Sequence, residues 1–472
     1  MGISDIGLFG LGVMGQSLAL NIANHNYTVS AYNIKSNSTK EFIDGKGNNY
    51  TNIIPTYSIE EFINSLKKPR KIFLMIKAGK PVDDTIDILT PYMDKGDIII
   101  DGGNSFFKDT IRRSNRLEEL GMNYLGVGVS GGEEGALKGP SIMPGGTKEA
   151  WEACKEILID ISAKVNNNEA CCSYIGKDGS GHYVKMVHNG IEYADMQLIA
   201  ESYYLMKNLL NMSEEEMKEV FEKWNDGELQ SYLIEITADI LGKKDKETNK
   251  PMLDVILDIA GQKGTGKWTS KEALDLGVCT PSITEAVFAR GISTIKEERV
   301  EASKKLNGPK KNIKIDKKQF IEDIRKALYA SKMCAYTQGF TLLREASKEH
   351  GWELNYGEIA MLWRRGCIIR AKFLDRIKDA YVRNPKINNL LLDPYFMEQI
   401  NEAQDAWRRI VSTAALSGIA VPGFSSSLNY YDAYRSENLS TNMIQAQRDY
   451  FGAHTYKRND RDGIFHTDWM NI

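Results

Sequence analysis

The feature that most constrains the fold is a glycine fingerprint near the start of the chain, Gly10-Leu-Gly-Val-Met-Gly15. It follows a short apolar run, Ile6–Phe9, and opens a segment of helical period at 16–24. In a strand-turn-helix setting the first glycine permits the tight turn, the second lets a pyrophosphate approach the backbone, and the third allows the helix to pack closely on the strand. The pattern therefore predicts a dinucleotide-binding site at a helix N-terminus.

Short β-branched runs alternate with helical segments through the first third of the chain. The strand-like runs lie at 6–9, 28–32, 72–76, 98–100 and 124–129. Helical segments lie between them, for example at 16–24, 82–92 and 110–120. Strand-helix-strand units with short connections predict a largely parallel sheet, and so an α/β Rossmann-type N-terminal domain at 1–178.

The pattern changes at about Gly179, where one long helical stretch begins. Later segments keep the helical period without any strand alternation, which predicts a large all-α domain at 179–435. Its helical segments lie at 182–210, 214–223, 229–241, 317–348 and 359–379. A C-terminal tail is expected at 436–472, with a short helix at 442–450. Trp224-Asn-Asp-Gly227 and Trp363-Arg-Arg-Gly366 each end a helical block. Chance explains this weak internal repeat at least as well as an old duplication does.

Composition excludes several classes of protein. A chain of 472 residues is too long for one core, and no run approaches the roughly 18 apolar residues that a membrane span needs. A net charge of −3 lacks the basic surplus of a nucleic-acid binder. The six cysteines show no CxxC pairing and no ligand-like spacing with the six histidines. We therefore expect buried, reduced thiols, no metal site and, without a signal peptide, a cytosolic protein.

The end of the second strand indicates which dinucleotide binds. Enzymes that use NAD place Asp or Glu there to bind the ribose hydroxyls, whereas this chain has Asn33, followed by Ile34 and Lys35. Without the acid, a 2′-phosphate is not repelled and Lys35 can pair with it, although a lysine just past a strand is more often merely solvated. NADP is favoured over NAD.

The start of the long helix carries the candidate catalytic groups. Lys185, Asn189 and Glu192 have the spacing i, i+4, i+7, which places them on one face with His188 at its edge. A lysine and a carboxylate so spaced usually mark a solvated face, but an amide and an imidazole beside them suit acid–base chemistry. A lysine that acts as a base must be neutral, and the first turn of a helix, where we place Lys185, disfavours the ammonium.

Two glycine-rich segments can complete a pocket around this helix, and a third is interpreted separately. Asp101-Gly-Gly-Asn-Ser105 and Ser130-Gly-Gly132 each follow a strand, where open α/β sheets bind their ligands. The segment at 261–268, Gly-Gln-Lys-Gly-Thr-Gly-Lys-Trp, lacks the spacing of a nucleotide-binding Walker loop and follows no strand. We interpret it as a flexible loop that presents Lys263 and Thr265 to an anion.

Taken together, these segments resemble those of the 6-phosphogluconate dehydrogenase family. The resemblance runs from Gly7 to about Trp469, and the stretches at 261–268 and 445–456 are highly specific to that family. Shorter β-hydroxyacid dehydrogenases share the glycine fingerprint and the helix lysine but lack both stretches. The resemblance implies NADP-dependent oxidative decarboxylation of 6-phosphogluconate to ribulose 5-phosphate, in the pentose phosphate pathway, by a homodimer.

The resemblance also implies residue roles. Lys185 is implied as the base toward the 3-hydroxyl, and Glu192 as the acid that protonates carbon 1 of the enediol. The groups implied to hold the carboxylate and hydroxyls are Asn104, Ser130, Gly131, Gly132, His188 and Asn189. Those implied for the phosphate are Tyr193, Lys263, Thr265 and Arg290, with Arg448 and His454 from the partner subunit's tail. Those implied for the cofactor are Gly10, Gly12, Val13, Met14, Gly15, Asn33, Lys35, Ile76, Lys77, Ala78 and Asn104.

One departure and two alternatives stay open. The family usually has Asn-Arg-Thr at the 2′-phosphate, whereas this chain has Ile34 and Lys35 after the asparagine; a lysine is a point charge without the fork of arginine. The margin of NADP over NAD is therefore not fixed by the sequence. The alternatives are another β-hydroxyacid dehydrogenase, against which Arg290 counts, and an NADP-binding protein without turnover, against which Lys185 and Glu192 count.

Overall fold

The computed structural model describes residues 3–309 and 313–470, and its N-terminal part is built on a seven-stranded sheet. The strands are β1 Ile6–Phe9, β2 Val29–Tyr32, β3 Ile53–Pro55, β4 Lys71–Leu74, β5 Ile98–Asp101, β6 Asn123–Ser130 and β7 Ser141–Gly146. Their order is β3-β2-β1-β4-β5-β6-β7, and every pair is parallel except β6–β7. A two-stranded antiparallel ribbon, β8 Lys164–Val165 with β9 Glu169–Ala170, follows.

Helices cover both faces of this sheet, so strands such as β1, β2 and β5 are buried at every position. The helices are α1 Val13–Asn24, α2 Ser36–Asp44, α3 Ile59–Asn64, α4 Lys80–Leu89, α5 Phe107–Glu119, α6 Gly132–Lys138 and α7 Lys148–Ile161. The predicted Rossmann-type sheet is confirmed. Four strands were not predicted: β3, which has three residues; β7, which contains Pro144 and two glycines of low strand propensity; and β8 and β9, which have two residues each.

In the described residues from 179 onward the chain forms helices and loops without a strand, as predicted. The helices are α8 Ser180–Leu210, α9 Glu214–Asn225, α10 Tyr232–Leu241, α11 Met252–Val255, α12 Thr265–Asp275, α13 Pro281–Ser293, α14 Lys296–Lys305, α15 Lys317–His350, α16 Tyr356–Leu362, α17 Leu374–Arg383, α18 Pro394–Leu416, α19 Pro422–Tyr434 and α20 Thr441–Gly452. The single helical block expected at 359–379 is wrong, because α16 ends at Leu362 and Gly366, with a φ of 68°, turns the chain before α17.

Glycines on both sides let the first turns of α8 dock onto the sheet. A Cβ atom on Gly181 would lie 2.4 Å from the carbonyl oxygen of Gly126 in β6, and one on Gly145 would lie 2.3 Å from the nitrogen of Gly181. A Cβ atom on Gly128 would lie 2.4 Å from the Cβ of Lys185. The close approach that only glycine permits therefore fixes Lys185 against β6.

The tail combines a short helix with exposed apolar side chains. Helix α20 confirms the expected short helix, and the rings of Tyr456 and Phe465 pack at 6.3 Å, but Phe451 is 72% exposed. Residues 471 and 472 of the predicted tail lie outside the described residues. The division into domains at 178 and 435 stays a prediction.

Candidate active site

Lys185 lies in the second turn of α8, since the helix begins at Ser180. The placement in the first turn was therefore wrong. The helix dipole acts mainly within that turn, so it lowers the pKa of Lys185 less than expected. Burial is the main cause of the lowered pKa instead. The Lys185 side chain is buried among the helices and β6, and this desolvation lowers the pKa of its ammonium group. The sequence therefore predicted a lowered pKa for Lys185 from the helix dipole, whereas burial is its main physical cause.

The four predicted groups of this helix face lie together. Lys185 Nζ is 3.4 Å from His188 Nδ1, which is also 3.1 Å from Asn189 Oδ1. His188 Nε2 is 3.4 Å from Ser130 Oγ at the end of β6. Burial, and next the neighbouring Lys185, lower the pKa of His188 well below its usual value. The imidazole is therefore neutral and able to orient hydroxyl groups.

Glu192 completes the candidate acid–base set. Its Oε2 lies 3.8 Å from His188 Nδ1. Burial raises the pKa of Glu192, although the charges of Lys185 and Arg290 oppose that shift. Desolvation thus favours a neutral lysine and a protonated glutamate on one helix face, the two protonation states that a base and an acid require.

Three of the residues implied for the phosphate, Tyr193, Thr265 and Arg290, form a second cluster, and Tyr193 directly follows Glu192 on α8. The Arg290 guanidinium carbon lies 3.5 Å from the centroid of the Tyr193 ring. Gly266 also packs closely against the Tyr193 ring, since a Cβ atom on Gly266 would lie 2.5 Å from Tyr193 Cδ2. Thr265 begins α12 directly after Gly264, whose φ is 98°, so the first backbone N–H groups of this helix are available to an anion. Lys263 is exposed in the preceding loop.

Arg290 also ties this loop to α13. Its Nη1 donates a hydrogen bond of 3.1 Å to the carbonyl oxygen of Gly261. Arginine, loop and helix N-terminus therefore converge beside Glu192, and together they suit a dianionic group.

The glycine fingerprint adopts the geometry that its sequence predicts. Gly10 has a φ of 105°, and a Cβ atom there would lie 2.6 Å from the Met75 carbonyl oxygen. A Cβ atom on Gly15 would lie 1.9 Å from the Gly10 carbonyl oxygen, whereas one on Gly12 would meet no atom within 4 Å. Space beside Gly12, at the N-cap of α1, is where a pyrophosphate fits; Val13 and Met14 form the first turn of that helix.

Asn33 links this turn to the expected 2′-phosphate position. Its Oδ1 accepts a hydrogen bond of 3.1 Å from the Leu11 backbone N–H. Ile34 is 65% exposed, and the exposed Lys35 is the N-cap of α2. Asn33 thus has a structural role, and the Lys35 side chain, which makes no ion pair with a described residue, can meet a phosphate.

The remaining predicted positions follow neighbouring strands. Ile76, Lys77 and Ala78 come after β4, and the exposed Asn104 comes after β5, so both segments lie at the carboxyl edge of the sheet. The predicted pair Gly131 and Gly132 opens α6, with φ values of 119° and 64°.

The two tail residues are not joined to this site within one chain. Arg448 Nη1 donates to Gln445 Oε1 at 3.0 Å, and the His454 ring packs on Phe451. None of the hydrogen bonds or ion pairs between described residues connects Arg448 or His454 to α8 or α12.

Sequence reasoning missed one wall of the site. The Trp363 ring packs edge-on against His188 at 5.6 Å, and Cys367 is buried beyond it. A Cβ atom on Gly131 would lie 2.6 Å from the Gly366 carbonyl oxygen. The only sequence signal for this wall was the weak internal repeat that includes Trp363–Gly366, and that repeat does not indicate a catalytic or binding role. The alternating glycines of β6 were a better signal, because glycine within a strand marks a close backbone approach.

Other expectations concern ions, thiols and membranes. Among the described residues no cluster of His, Cys, Asp and Glu is arranged to hold a metal ion, and none of the described helices is long and apolar enough to cross a membrane. All six cysteines are free thiols, but Cys279 is exposed, contrary to the expectation that all are buried.

Comparisons with known proteins match the chain to one family over nearly its whole length. Residues 5–176 match the model of the NAD binding domain of 6-phosphogluconate dehydrogenase, and residues 181–469 match that of its C-terminal domain. The NADP(+)-dependent, decarboxylating 6-phosphogluconate dehydrogenase of Bacillus subtilis is 60% identical over 472 residues, 100% of both chains. The decarboxylating 6-phosphogluconate dehydrogenase of Staphylococcus aureus strain Mu50 is 59% identical over 467 residues, 99% of both.

A solved structure agrees with the sequence comparisons. The 6-phosphogluconate dehydrogenase of Plasmodium falciparum, described as apo, with NADP+ and with 6-phosphogluconate, superposes with a TM-score of 0.95 at 50% identity. The match covers 98% of this chain and 100% of that one.

Proposed function

The chain belongs to the 6-phosphogluconate dehydrogenase family, and we propose that it converts 6-phospho-D-gluconate to D-ribulose 5-phosphate and carbon dioxide while reducing NADP. The observation that carries this proposal is the pairing of Lys185 and Glu192 on one face of α8, where burial shifts the pKa of each toward the required protonation state. The full-length relatives of this chain that are named for this activity also support the proposal.

The residues at the sheet edge fit NADP. The open space at Gly12 and the N-terminus of α1 suit the pyrophosphate, and Asn33 with Lys35 suits the ribose 2′-phosphate. When bound, NADP accepts the hydride that leaves carbon 3 of the substrate. Lys77, Ala78 and Asn104, after neighbouring strands, would hold the reacting end.

Lys185 carries the proton chemistry of the oxidation. In its neutral form Nζ takes the proton of the 3-hydroxyl as the hydride leaves carbon 3, which leaves a 3-keto acid. The resulting ammonium group then donates a hydrogen bond to the 3-keto oxygen. That oxygen draws the electron pair of the breaking bond to the carboxylate, so that carbon dioxide departs and an enediol remains.

Glu192 completes the reaction by protonating carbon 1 of the enediol. Burial raises the pKa of this carboxyl, so it keeps its proton to a higher pH than an exposed glutamate does. His188 and Asn189 would hold the substrate hydroxyls, while Ser130, Gly131 and Gly132 would bind the carboxylate.

The second cluster explains selectivity for a phosphorylated sugar acid. Arg290, the N-terminus of α12 at Thr265 and the exposed Lys263 offer cationic and N–H groups to a dianion. A non-phosphorylated β-hydroxyacid would leave these groups without a partner, which disfavours the alternative substrates.

The proposal includes a homodimer in which the partner's Arg448 and the partner's His454 complete the phosphate site. In support, the tail exposes apolar side chains that a partner would cover, among them Met443 at 63% and Phe451 at 72%. The tail nevertheless has a folded centre at Asp449. This buried carboxylate accepts hydrogen bonds from Thr455 N, His466 Nδ1, Thr467 N and Trp469 Nε1.

A cytosolic location is part of the same proposal, supported by six cysteines that are all free thiols. So is the division into a dinucleotide-binding domain at 1–178, a helical domain at 179–435 and a tail at 436–472.

The test is to incubate the purified chain with 6-phosphogluconate and NADP and to measure NADPH absorbance and released carbon dioxide together. The proposal predicts one carbon dioxide per NADPH, and far slower turnover with gluconate, which lacks the phosphate. Reduction of NADP without release of carbon dioxide, or equal rates with gluconate, would contradict it.

A further inference from the structure

A buried arginine on α5 contacts the ends of two loops at the sheet edge. The first loop follows β4 and carries Lys77 and Ala78; the second follows β5 and carries Asn104. Arg113 is 1% exposed, although it takes no part in the proton chemistry above. Its Nε donates to Asp83 Oδ1 at 2.9 Å and its Nη2 to Asp83 Oδ2 at 3.0 Å, a bidentate pair with helix α4.

The same guanidinium binds the end of the first loop. Arg113 Nη2 also donates to the carbonyl oxygen of Gly79 at 2.9 Å. Gly79 is the N-cap of α4 and has a φ of 90°, so its carbonyl direction depends on a backbone conformation that few other residues adopt. Arg113 therefore holds the residue that follows Lys77 and Ala78.

The third side of the guanidinium faces the second loop. Arg113 Nη1 makes an ion pair of 3.6 Å with Asp101 Oδ2 and has no hydrogen-bond partner among the described residues. Asp101, at the end of β5, is itself fully buried. Its carboxylate accepts hydrogen bonds from Gly103 N at 3.0 Å, Ser105 Oγ at 2.6 Å and Tyr124 OH at 2.9 Å.

Asp101 thus fixes the residues on both sides of Asn104, while Gly79 ends the loop of Lys77 and Ala78. We propose that Arg113 is a positioning residue that sets the distance between these two loops, and hence between the reacting end of the dinucleotide and carbon 3 of the substrate. The roles of the loops rest on the proposed function; the coupling between them rests on the contacts of Arg113 alone.

Arginine suits this task for a geometric reason. Its planar fork presents nitrogen atoms in three fixed directions, toward Asp83, Gly79 and Asp101, whereas a lysine offers one point charge on a flexible stem. Hydride transfer is sensitive to such placement, because a displacement of about 1 Å at the reacting atoms can lower the rate about a hundredfold.

The test compares Arg113→Lys with Arg116→Lys. Arg116, one turn farther along α5, also bridges α5 to α4 through a carboxylate, Asp87, but it is exposed, and its hydrogen bonds and ion pairs with described residues include neither loop. Hydrogen exchange of the ligand-free variants is measured over residues 75–80 and 102–106, and kcat and KM are measured with 6-phosphogluconate and NADP.

We expect Arg113→Lys to accelerate exchange in both loops and to lower kcat at least about tenfold, with both KM values changed less than about threefold. Arg116→Lys should leave exchange in both loops as in the wild type. Unchanged exchange in either loop, or a loss of kcat no greater than in Arg116→Lys, would overturn the proposal.

Should Arg113→Lys fail to fold, Asp83→Asn keeps the shape of the partner and removes one charge. It should again accelerate exchange in both loops together, and exchange unchanged in either loop would overturn the coupling. The exchange measurement needs neither substrate nor cofactor. A wild-type chain that does not oxidise 6-phosphogluconate would therefore refute the proposed function and leave the test of Arg113 standing.

Discussion

Lys185 Nζ and His188 Nδ1 lie 3.4 Å apart, and both side chains are buried in the first half of α8. Two cations at this distance in a desolvated site would repel each other strongly. Burial lowers the pKa of both groups, so the resting site holds at most one positive charge here. In the proposed mechanism, the pair therefore provides a base and a neutral hydrogen-bonding ring side by side.

The pH dependence of the rate should report Lys185 and Glu192. The pKa of Lys185 is lowered, so its neutral form persists below the pH at which an exposed lysine would be protonated, and activity falls as the pH drops through that shifted value. The pKa of Glu192 is raised, so its protonated form persists to a higher pH than in an exposed glutamate. Activity falls once that proton is lost. We expect a bell-shaped profile whose apparent values belong to the coupled pair.

The variant Glu192→Gln cannot lose a proton on the alkaline side. Its lower activity should therefore show the acid limb of the profile without the alkaline limb. An alkaline limb that persists unchanged in Glu192→Gln would assign that proton to another group.

Cofactor choice should depend on Lys35 and Ile34. Lys35→Ala should raise the KM for NADP roughly three- to tenfold and leave that for NAD unchanged, because only NADP carries the 2′-phosphate. Ile34→Arg should shift the KM for NADP in the opposite direction, since the fork of arginine binds phosphate bidentately. Equal effects of Lys35→Ala on both dinucleotides would show that this lysine is merely solvated.

The proposal of a site shared between two subunits predicts a loss of 6-phosphogluconate binding when the tail arginine is removed. Arg448→Ala should weaken 6-phosphogluconate binding roughly 10- to 150-fold, the effect of one buried charge-assisted contact of about 1.5–3 kcal/mol. Binding of NADP should not change, and calorimetry on each ligand separates the two.

Subunit exchange then tests whether the arginine acts across the dimer. In a mixture of Lys185→Met and Arg448→Ala chains, one of the two sites of a mixed dimer has both residues intact. Activity should return on mixing. No recovery, with exchange confirmed independently, would mean that each tail serves its own chain.

The folded centre of the tail should matter for the same site. Burial opposes ionisation of Asp449, but its hydrogen bonds from His466, Thr467 and Trp469 outweigh it and lower the pKa to about 2. The stability that this carboxylate contributes is therefore present above its usual pKa and is lost as the pH falls toward about 2.

At neutral pH, Asp449→Asn should raise the KM for 6-phosphogluconate about tenfold and leave that for NADP unchanged, because a disordered tail no longer presents Arg448 and His454. Asp460→Asn is the matched control, since Asp460 is an exposed tail carboxylate paired with Arg458. Equal effects of the two substitutions would argue against a positioning role for Asp449.

Local patterns in the sequence predict the parts of the site that local geometry sets. The turn at Gly10 and Gly15 follows from its spacing, and the shared face of Lys185 and Glu192 follows from the helical period. The sequence could not predict contacts between distant segments. Arg113 meets Asp83 and Asp101 through three separate elements, and Trp363 reaches His188 from another part of the helical domain.

The pKa of Lys185 illustrates the same limit. Its shift was expected from the helix dipole, yet it results mainly from burial against β6, which depends on Gly126 and Gly128 of a different domain. Similarly, the antiparallel strand β7 carries Pro144, Gly145 and Gly146, and its pairing with β6 outweighs their weak strand propensity.

The most direct test of Lys185 as the base follows NADPH and carbon dioxide together in Lys185→Met, with binding of NADP measured by calorimetry. The account predicts that both products form about 10²- to 10⁴-fold more slowly than in the wild type, while NADP binds as before. Production of NADPH at more than about a hundredth of the wild-type rate would contradict it and place the base elsewhere.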